Sequence, residues 1–382
     1  MSLIEFLDNK PLYYSEIDYS RMPRIYEKIK FNFSFGKIIH IIGTNGKGTT
    51  GRFLATALFN MGCKTAHYTS PHILEFNERI WLNGKNVNNN LLDKAHAKLQ
   101  NFLSKEDSDS LSYFEYTTFI AMLLFNNFEY IVLEAGLGGE FDATAVFEKD
   151  LTLVTPISYD HEAFLGSDIK EIARTKLNAI QNNAILATQN NNEVYQIAQE
   201  LEKSKNIKIK RVEEILDDDD KKKILEISEN LSLVNYLKDN LKLSISALNF
   251  LNISYKIEDF DNSKLFGRLS NINENIIVDV GHNPLAANSI LKALNGTKYI
   301  LIYNTYKDKE YKKILEILKS IIWHVEIIKI DDNRVESKVK LQKNLDELDI
   351  SYQDFYNIDK NKKYLVFGSF SVVEKFLEVY NG

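Results

Sequence analysis

Short apolar runs alternate along the chain with segments whose apolar residues recur at helical spacing. The first clear run, residues 37–42, is rich in β-branched residues and lies between Gly36 and Gly43, which indicates a buried strand. A glycine-rich turn follows, and then a segment with the period of a helix, which Gly62 is placed to end. A strand, a glycine-rich loop and a helix in this order are typical of the start of a nucleotide-binding βαβ unit.

The same alternation continues along the chain and is interrupted once, near residues 258–264. Further strands are predicted at 130–134, 151–155, 184–188, 276–280, 299–303, 325–330 and 364–370, and helices at 116–126, 168–180, 231–251, 284–294 and 311–321. Alternation of this kind predicts an α/β fold with mostly parallel sheets covered by helices on both faces. We therefore expect two α/β domains, residues 1–264 and 265–382. The charged run 217–223 is expected to be a solvated turn.

Composition and charge exclude several classes of protein. The 382 residues carry 47 Lys and Arg against 53 Asp and Glu, and the net charge of −6 argues against a general binder of nucleic acid or membrane surfaces. A single cysteine, Cys63, excludes a disulfide framework and any multi-cysteine metal site, and it is expected to be a small buried residue. The first ten residues lack the features of a secretion signal, and the longest apolar stretch, 119–125, is too short to span a bilayer. We expect a cytoplasmic globular enzyme.

The strongest chemical signal is the loop Gly43–Thr49, GTNGKGT, between a predicted strand and a predicted helix. Glycines allow backbone N–H groups to close around phosphate oxygens, and the helix N-terminus favours negative charge. Lys47 is placed to reach the terminal phosphates and Thr49 to ligate Mg²⁺. The spacing differs from the usual P-loop string, because Gly48 separates Lys47 from Thr49. The alternative is an ordinary glycine-rich turn with a surface lysine, but the flanking elements favour nucleotide binding.

Other candidate groups follow predicted strands. Glu134 ends one strand and precedes the glycine-rich residues 136–139, while Asp160 and His161 follow the next strand. Ligands of doubly wound sheets bind at the carboxyl ends of strands, so these positions indicate a site. A glutamate, a histidine and a hydroxyl are a reasonable ligand set for Mg²⁺. Taken singly, each of these residues is more often structural.

The second predicted domain has its own candidates. The segment 279–284, DVGHNP, follows a strand and opens a helix, which Asn283 or His282 is placed to cap, with Pro284 at the first position. The alternative is a functional role near a ligand. Arg268 near the domain boundary is either a surface charge or a contact to phosphate.

Together these motifs resemble one family, the folylpolyglutamate synthases and dihydrofolate synthases, within the ATP-dependent Mur-type ligases. The matching segments run in the family's order and are GTNGKGTT (43–50), TSPHILEFNERI (69–80), LEAGLGGEFDAT (133–144), DHEAFLG (160–166), EIARTK (171–176), FGR (266–268), DVGHNP (279–284) and VFGSF (366–370). Single motifs are shared with Mur ligases. The motifs at 69–80 and 133–144 together are much more specific to the folate branch.

The resemblance implies a Mur-ligase-like fold: a P-loop-containing, parallel-sheet ATP-binding domain that also holds the pterin site, followed by a smaller, Rossmann-like α/β domain, the C-terminal glutamate-ligase domain. The implied reaction joins a pterin-linked carboxylate to the amino group of L-glutamate. ATP is cleaved to ADP and phosphate, and the carboxylate passes through an acyl phosphate. The product is dihydrofolate from dihydropteroate, a longer polyglutamate tail on tetrahydrofolate, or both.

The resemblance also implies roles for individual residues. ATP contacts fall on Gly43, Asn45, Gly46, Lys47, Gly48, Thr49, Thr50, Asn240, Arg268 and Asp279. Ligands of Mg²⁺ fall on Thr49, Ser70, Glu134 and His161. Catalytic positions are Lys47, His282 and Lys176, the last of which corresponds to a lysine that is carbamylated in the family. Pterin contacts fall on Phe114, Glu115, Phe141, Asp142 and Ala143.

The chain departs from the family pattern at several positions near these residues. Glu140 stands where the family usually has Arg, Ala145 stands where it has Asn, and residues 177–178 are Leu-Asn in place of Ala-Gly. The charge reversal at Glu140 bears on the pterin contacts. The changes after Lys176 bear on the geometry around that lysine.

Three alternatives remain from the sequence. A Mur-type ligase for another carboxylate, such as a cell-wall precursor, is expected to have a further N-terminal domain, and only 42 residues precede the phosphate loop. A non-catalytic nucleotide-binding module would tolerate loss of Glu134, His161 or Lys176, and all three are present. A P-loop kinase or GTPase is expected to carry the standard Walker spacing. The favoured interpretation implies small-molecule partners only, with no nucleic acid and no membrane, and a monomer.

Overall fold

The structure is a computed structural model that describes residues 1–10, 18–160 and 162–381. The chain divides into two compact units. The first comprises Met1–Leu233 and Leu237–Ser263, and the second comprises Val234–Tyr236 and Lys264–Gly382. The functions that the sequence assigns to the two predicted domains remain predictions.

Helices and strands alternate through the described residues. The helices are α1 Leu3–Asp8, α2 Arg21–Ile29, α3 Lys47–Asn60, α4 Asn89–Phe102, α5 Lys105–Ser110, α6 Tyr113–Leu124, α7 Glu162–Leu165, α8 Ile169–Leu177, α9 Asn192–Lys205, α10 Asp218–Asn230, α11 Asn235–Phe250, α12 Pro284–Leu294, α13 Tyr311–Leu318, α14 Lys338–Glu347 and α15 Phe370–Asn381. The strands are β1 Lys37–Ile42, β2 Thr65–Tyr68, β3 Ile80–Leu82, β4 Lys85–Asn86, β5 Tyr130–Glu134, β6 Leu151–Val154, β7 Asn183–Leu186, β8 Lys208–Arg211, β9 Ser270–Asn273, β10 Ile276–Asp279, β11 Tyr299–Tyr303, β12 Ile322–Ile327, β13 Tyr352–Asp354 and β14 Tyr364–Phe367.

The described part of the first unit is built on an eight-stranded sheet in the order β4-β3-β2-β5-β1-β6-β7-β8. The strands from β2 to β8 in this order run parallel, whereas β3 pairs antiparallel with β2 and β4 antiparallel with β3. Every residue of β1 except the first is buried. A parallel strand covered on both faces is apolar along most of its length, which explains the apolar run that predicted β1, in which His40 is the one buried polar residue.

The register places the carboxyl ends of the central strands side by side. Ile41, near the end of β1, pairs with Glu134 at the end of β5, and Ile42 pairs with Val154 at the end of β6. In β2, the last residue, Tyr68, pairs with Leu133 of β5. The segments that follow these strands therefore start from one edge of the sheet, where α/β folds bind their ligands.

The second unit contains a six-stranded sheet in the order β13-β12-β11-β14-β10-β9 among its described residues. Its strands run parallel except β9, which pairs antiparallel with β10. Helix α12 follows β10, and the side chain of Asn283 accepts a hydrogen bond from the backbone N–H of Ala286 with Pro284 at the start of the helix. The predicted cap is therefore Asn283. The two sheets confirm the predicted α/β class with mostly parallel strands.

The charged run 217–223 is not a turn, and that prediction is wrong. Asp217 caps α10, whose first turn contains the next three aspartates. Asp220 is buried and accepts hydrogen bonds from Tyr255 Oη at 2.7 Å and Asn249 Nδ2 at 2.6 Å. Aspartates in the first turn of a helix are stabilised by the partial positive charge there, so the run begins a helix rather than separating two.

The helix predicted over 231–251 begins later, at Asn235. The chain leaves α10 through Ser232, whose φ is 50°, and a left-handed residue cannot continue a helix. Short strands at the sheet edges, such as β4 and β13, carry no clear apolar alternation and were not predicted. In the part of the chain that the structure describes, no helix is long and apolar enough to cross a bilayer.

Candidate active site

The loop between β1 and α3 has the backbone of an anion-binding turn. Gly43 and Gly46 have φ angles of 135° and 90°, and Gly46 immediately precedes the first helical residue, Lys47. A Cβ added to Gly46 would lie 2.3 Å from Asn240 Oδ1, and one added to Gly43 would lie 2.0 Å from Thr155 Oγ1. Both glycines are thus required by conformation and by space. The loop presents the N-terminus of α3, where unpaired N–H groups favour a phosphate.

Two threonines in the first turn of α3 have buried hydroxyls. Thr49 is 2% exposed and Thr50 is fully buried, and the Oγ1 atoms of both have no hydrogen-bond partner among the described residues. A buried hydroxyl without a partner is costly, so such groups usually face a ligand, an ion or water. The Thr49 hydroxyl therefore fits the predicted role of a metal ligand.

Glu134 lies at the end of β5, is 3% exposed and is held by the loop that follows β2. Thr69 Oγ1 donates to its Oε2, and the backbone N–H of Ser70 lies 3.3 Å from the same oxygen. The sequence singled out Ser70 and Glu134 but gave no role to Thr69. The segments after β2 and β5 are therefore adjacent, although the sequence did not predict β2 as a strand.

The predicted metal ligands are only partly within the described residues. His161 lies outside them, and the described residues contain no group of three or more His, Cys, Asp or Glu side chains that would hold a metal. The fit to Mg²⁺ therefore rests on oxygen donors, namely the Thr49 hydroxyl, Ser70 and the Glu134 carboxylate. Such hard ligands suit Mg²⁺, which binds through one or two carboxylates and keeps several waters.

Two lysines converge on the carbonyl group of Gly43. Lys176, on α8, is 4% exposed and its Nζ donates to Gly43 O at 3.1 Å. Lys47 Nζ lies 3.4 Å from the same oxygen and 3.3 Å from Thr44 O. Burial and the adjacent positive charge of Lys47 lower the pKa of Lys176 to about 7. The neutral amine form is therefore more accessible to Lys176 near neutral pH than to an exposed lysine.

Helix α11 packs against the phosphate loop through two buried polar residues. Asn240, a predicted ATP contact, is 5% exposed and lies next to Gly46 of the phosphate loop. Ser244, one turn later, donates to the backbone oxygen of Thr50 at 2.8 Å. Sequence reasoning missed Ser244, because no local motif marks a serine in the middle of a helix.

The predicted pterin contacts Phe114 and Glu115 lie at the start of α6. The Phe114 ring is close to Gly136, where an added Cβ would lie 2.6 Å from its Cζ atom. Glu115 forms an ion pair with Arg21, with an N–O distance of 2.8 Å, and both side chains are about nine-tenths buried. Arg21 carried no sequence signal, since it is separated from its partner by 94 residues.

The other predicted pterin contacts differ in exposure. Phe141 is 53% exposed, and its ring centroid lies 4.5 Å from that of Tyr19. Ala143 is buried, and Asp142 is 7% exposed and caps the short helix that follows. Burial raises the pKa of the Asp142 carboxyl, opposed by hydrogen bonds to Thr144, Leu137 and Gly136 that favour the charged form.

Two of the departures from the family pattern contact each other. Glu140 Oε2 accepts a hydrogen bond from Asn178 Nδ2 at 2.7 Å, and the backbone N–H of Glu140 donates to Thr175 O at 3.0 Å. The adjacent Gly139 lies against the backbone of Lys176, where a Cβ would be 2.5 Å from the carbonyl oxygen. The glycine-rich loop is thus joined to the end of α8, and the charge of Glu140 has a polar partner there.

In the second unit, Asp279 at the end of β10 is the most connected of the predicted residues. It is 4% exposed and accepts hydrogen bonds from Tyr236 Oη, Leu269 N and Gly281 N at 2.8–2.9 Å. Burial raises the pKa of this carboxyl, against the opposing charge of Arg268. Its oxygens are therefore engaged within the unit, and the motif that contains them has a structural as well as a predicted ligand role.

Arg268 and His282 are less buried than Asp279. The guanidinium of Arg268 lies 5.2 Å from the centre of the Phe370 ring and donates to Gly267 O. His282 Nδ1 is 3.1 Å from Val280 O. An arginine held over an aromatic ring keeps donors available for an anion, which is consistent with the predicted contact to ATP.

Comparison with known proteins identifies the family, although no family model matches the chain. A curated dihydrofolate synthase/folylpolyglutamate synthase from Buchnera aphidicola subsp. Schizaphis graminum is 30% identical over 372 residues, which cover 88% of this chain and 86% of the relative. The crystal structure of Helicobacter pylori folylpolyglutamate synthetase is 39% identical, covers 99% of this chain and 98% of its own, and superposes with a TM-score of 0.79.

A bifunctional folylpolyglutamate synthase/dihydrofolate synthase from Yersinia pestis, complexed with AMPPNP and Mn ion, has a TM-score of 0.82 at 23% identity and covers 98% of this chain and 96% of its own. This likeness is one of fold alone, and it agrees with the expected α/β fold class. The identity to the first two proteins extends over most of each chain. The chain therefore belongs to the dihydrofolate synthase/folylpolyglutamate synthase family of ATP-dependent ligases.

Proposed function

We propose that this enzyme joins L-glutamate to the carboxylate of a pterin-containing substrate, dihydropteroate or a reduced folate, at the expense of ATP. The observation that carries the proposal is the meeting, at one edge of the first sheet, of the phosphate loop, the buried Thr49 hydroxyl, Glu134 and Lys176. Membership of the family supplies the substrate class. A Mur-type ligase for another carboxylate is less favoured, because the chain matches both relatives over most of their length and both are named for folate-related activities.

In this proposal the phosphates of ATP lie on the N-terminus of α3, with Lys47 beside them. Backbone N–H groups of the loop and the lysine charge offset the negative charge of the phosphates. Asn240 contacts the nucleotide from α11, and Arg268 and Asp279 are its contacts in the second unit. The related Yersinia pestis enzyme was crystallised with AMPPNP, which supports ATP as the nucleotide.

We infer that Mg²⁺ is held by Thr49, Ser70 and Glu134, together with His161. The unpartnered Thr49 hydroxyl and the Glu134 carboxylate support this assignment. When bound, the ion neutralises charge on the phosphate oxygens and lowers the repulsion felt by an approaching carboxylate. The Mn ion in the Yersinia pestis structure supports a divalent metal in a protein of this fold.

The chemical steps follow from the poor reactivity of a carboxylate. An oxygen of the substrate carboxylate attacks the γ-phosphorus of ATP, ADP leaves, and an acyl phosphate forms. The neutral amine of glutamate then attacks the acyl carbon, loses a proton and expels phosphate. Lys47 stabilises the charge of the transferred phosphoryl group. His282 is proposed to be a catalytic residue near the phosphates. The pterin is placed by the side chains of Phe114 and Phe141, with Glu115, Asp142 and Ala143 shaping its site.

We further propose that Lys176 is carbamylated. A neutral amine adds to CO₂ and loses a proton to give a carbamate, and the lowered pKa of Lys176 supplies that neutral form. We expect Lys176→Ala to lose most turnover while ATP still binds. A ¹³C carbamate signal from protein supplied with labelled bicarbonate tests the modification itself. Full activity of the variant would exclude the assigned role, and the missing signal would exclude the carbamate.

The function is tested by phosphate release from ATP with purified protein, Mg²⁺ and L-glutamate. Parallel reactions contain dihydropteroate, tetrahydrofolate or neither. Release that depends on dihydropteroate establishes the synthase activity, release with tetrahydrofolate establishes tail extension, and both together establish a bifunctional enzyme. No release with either pterin, from folded protein that binds ATP, contradicts the proposal. The same preparation in sedimentation velocity tests the predicted monomer.

A further inference from the structure

A chain of buried hydrogen bonds connects β1 to the glycine-rich loop after β5. His40 lies on β1, three residues before the phosphate loop, and its Nε2 is 2.8 Å from Thr144 Oγ1. Thr144 Oγ1 donates to Asp142 Oδ1 at 2.5 Å, and the backbone N–H of Thr144 donates to the same oxygen at 2.9 Å. The other oxygen, Oδ2, accepts from the N–H groups of Gly136 and Leu137 at 3.0 and 2.9 Å.

The directions of these hydrogen bonds fix the protonation of the histidine. The single hydroxyl proton of Thr144 is given to Asp142, because a carboxylate can only accept. Thr144 Oγ1 must then accept from His40, so the ring proton of His40 is on Nε2. Its Nδ1 is left as an unprotonated nitrogen, and it is buried without a partner among the described residues. Burial holds the pKa of His40 well below its ordinary value, so the ring stays neutral.

The Asp142 carboxylate is saturated by these contacts. Four donors occupy its two oxygens, and two of them are backbone groups of the loop that directly follows Glu134. Its orientation therefore sets the path of that loop, and the residues on either side of it, Phe141 and Ala143, are among the predicted pterin contacts. His40 and Thr144 are fully buried, so bulk water does not compete for their hydrogen bonds.

We propose that His40 and Thr144 are positioning residues for the ligation. Acting through Asp142, they fix the glycine-rich loop and the predicted pterin-contacting segment 141–143 relative to β1. Neither residue is expected to touch the substrate or the nucleotide. The inference rests on the proposed function, because the segment that it positions is the proposed pterin site.

The test compares two valine substitutions of buried threonines. Thr144→Val removes the hydroxyl, so that His40 Nε2 loses its partner and Asp142 Oδ1 loses one of its two donors. Thr144→Ser keeps the hydroxyl. Thr152→Val is the matched control, since Thr152 lies opposite His40 on β6, is 1% exposed, and has a hydroxyl with no partner in the described part of the chain. Removing that hydroxyl leaves every hydrogen bond from His40 through Thr144 to Asp142 in place.

We expect Thr144→Val to raise KM for the pterin substrate about tenfold, as for loss of a hydrogen bond to a charged group. KM for ATP should change by less than about twofold, and Thr144→Ser and Thr152→Val should match the wild type within about twofold. An unchanged KM for the pterin substrate in Thr144→Val would overturn the proposal. Equal increases in both KM values would also overturn it, because they indicate a general structural effect.

A second measurement needs neither turnover nor a variant. Long-range ¹H–¹⁵N spectra of the wild-type protein distinguish the two tautomers of a neutral histidine, and we expect the His40 proton on Nε2. A proton on Nδ1, or a charged ring at neutral pH, would show that the hydrogen-bond chain does not exist. If the wild type releases no phosphate with either pterin, the proposed function fails. An active wild type with an unaffected Thr144→Val variant means that only the positioning role fails.

Discussion

Two buried lysines of the first unit donate to backbone carbonyls. Lys176 Nζ contacts Gly43 O, and Lys149 Nζ contacts Ala145 O. Burial lowers the pKa of each to about 7. A peptide carbonyl stabilises an ammonium less than a carboxylate does, so at these positions desolvation of the charge dominates. Burial of these two ammonium groups therefore lowers the stability of the folded protein close to the proposed active site.

The cost at Lys149 predicts a pH dependence of stability. An unfolded lysine has a pKa near 10.5, so between about pH 7 and 10.5 the unfolded chain binds more protons than the folded one and stability rises with pH. Lys149→Met removes this contribution. We expect the free energy of unfolding of the wild type, measured relative to the variant by urea denaturation, to increase between about pH 7 and 10. Lys176 is present in both proteins, so its contribution to the pH dependence cancels in the difference. A difference that is flat with pH would contradict the assigned burial of the charge.

Glu134 gives a second prediction for a single side chain. We expect Glu134→Gln to raise the Mg²⁺ concentration needed for half-maximal phosphate release by about tenfold or more, because a neutral amide is a poorer ligand than a carboxylate. The control is Glu129→Gln, at the opposite end of β5, where the carboxylate accepts from the backbone N–H of Lys64. A titration with Mg²⁺ at saturating ATP measures both. Identical Mg²⁺ dependence in Glu134→Gln and the wild type would remove Glu134 from the metal site.

At the scale of elements, helix α3 has a glycine with φ near 90° at each end. Gly46 precedes its first residue and Gly62 follows its C-terminus. An alanine at either position adopts a left-handed backbone, which costs about 1–2 kcal/mol. The two sites differ in space, since a Cβ at Gly46 would be 2.3 Å from Asn240 Oδ1, whereas nothing lies within 4 Å at Gly62.

This pair separates the function of the loop from the stability of the helix. We expect Gly62→Ala to lower the free energy of unfolding by about 1–2 kcal/mol with ATP affinity unchanged. Gly46→Ala should lower it further and also weaken ATP binding at least about tenfold, because the loop must shift away from Asn240. Isothermal titration with a non-hydrolysable ATP analogue measures affinity. Equal ATP affinity in the two variants would argue against binding of phosphates by this loop.

The same helix shows what sequence can predict about an element and what it cannot. Strand β1, the loop and α3 were predicted correctly because their chemistry is local: a mostly apolar run, glycines at the turn and helical spacing. Asp220 was misjudged because its partners, Tyr255 and Asn249, lie about 30 residues further on in the chain. A charged run has the same local pattern whether or not one of its members is buried. Burial of a single polar group depends on packing, which no window of sequence contains.

At the scale of the whole molecule, the order of the strands predicts which segments of the proposed site lie side by side. It does not predict which side chains within those segments pair with each other. Glu134 and the phosphate loop follow neighbouring strands of the first sheet, so their proximity was predictable, whereas Lys176 lies on α8 and only its side chain reaches Gly43 O. The ion pair between Arg21 and Glu115 and the hydrogen bond between Glu140 and Asn178 were not predictable. Each joins two segments whose contact is set by helix packing rather than by strand order.

The predicted ATP contacts are distributed over both units of the chain, and Arg268 tests the contribution of the second. Its guanidinium lies over the Phe370 ring, and Arg334 of the same unit lies over the Tyr306 ring in the same manner, 4.6 Å from its centre, beside Asp332. Arg334 is therefore a matched control with the same charge and the same type of aromatic contact. It falls outside every motif that resembles the family.

We expect Arg268→Ala to raise KM for ATP by about tenfold or more, since a charge-assisted hydrogen bond to phosphate contributes roughly 1.5–3 kcal/mol. Arg334→Ala should change KM for ATP by less than about twofold, because loss of an exposed arginine that is already paired with a carboxylate is close to neutral. Phosphate release as a function of ATP concentration measures both variants, and thermal unfolding shows whether each is folded. If the two substitutions had equal effects on KM, Arg268 would be a packing residue. The ATP contacts of this enzyme would then have to be sought in the first unit and in Asp279.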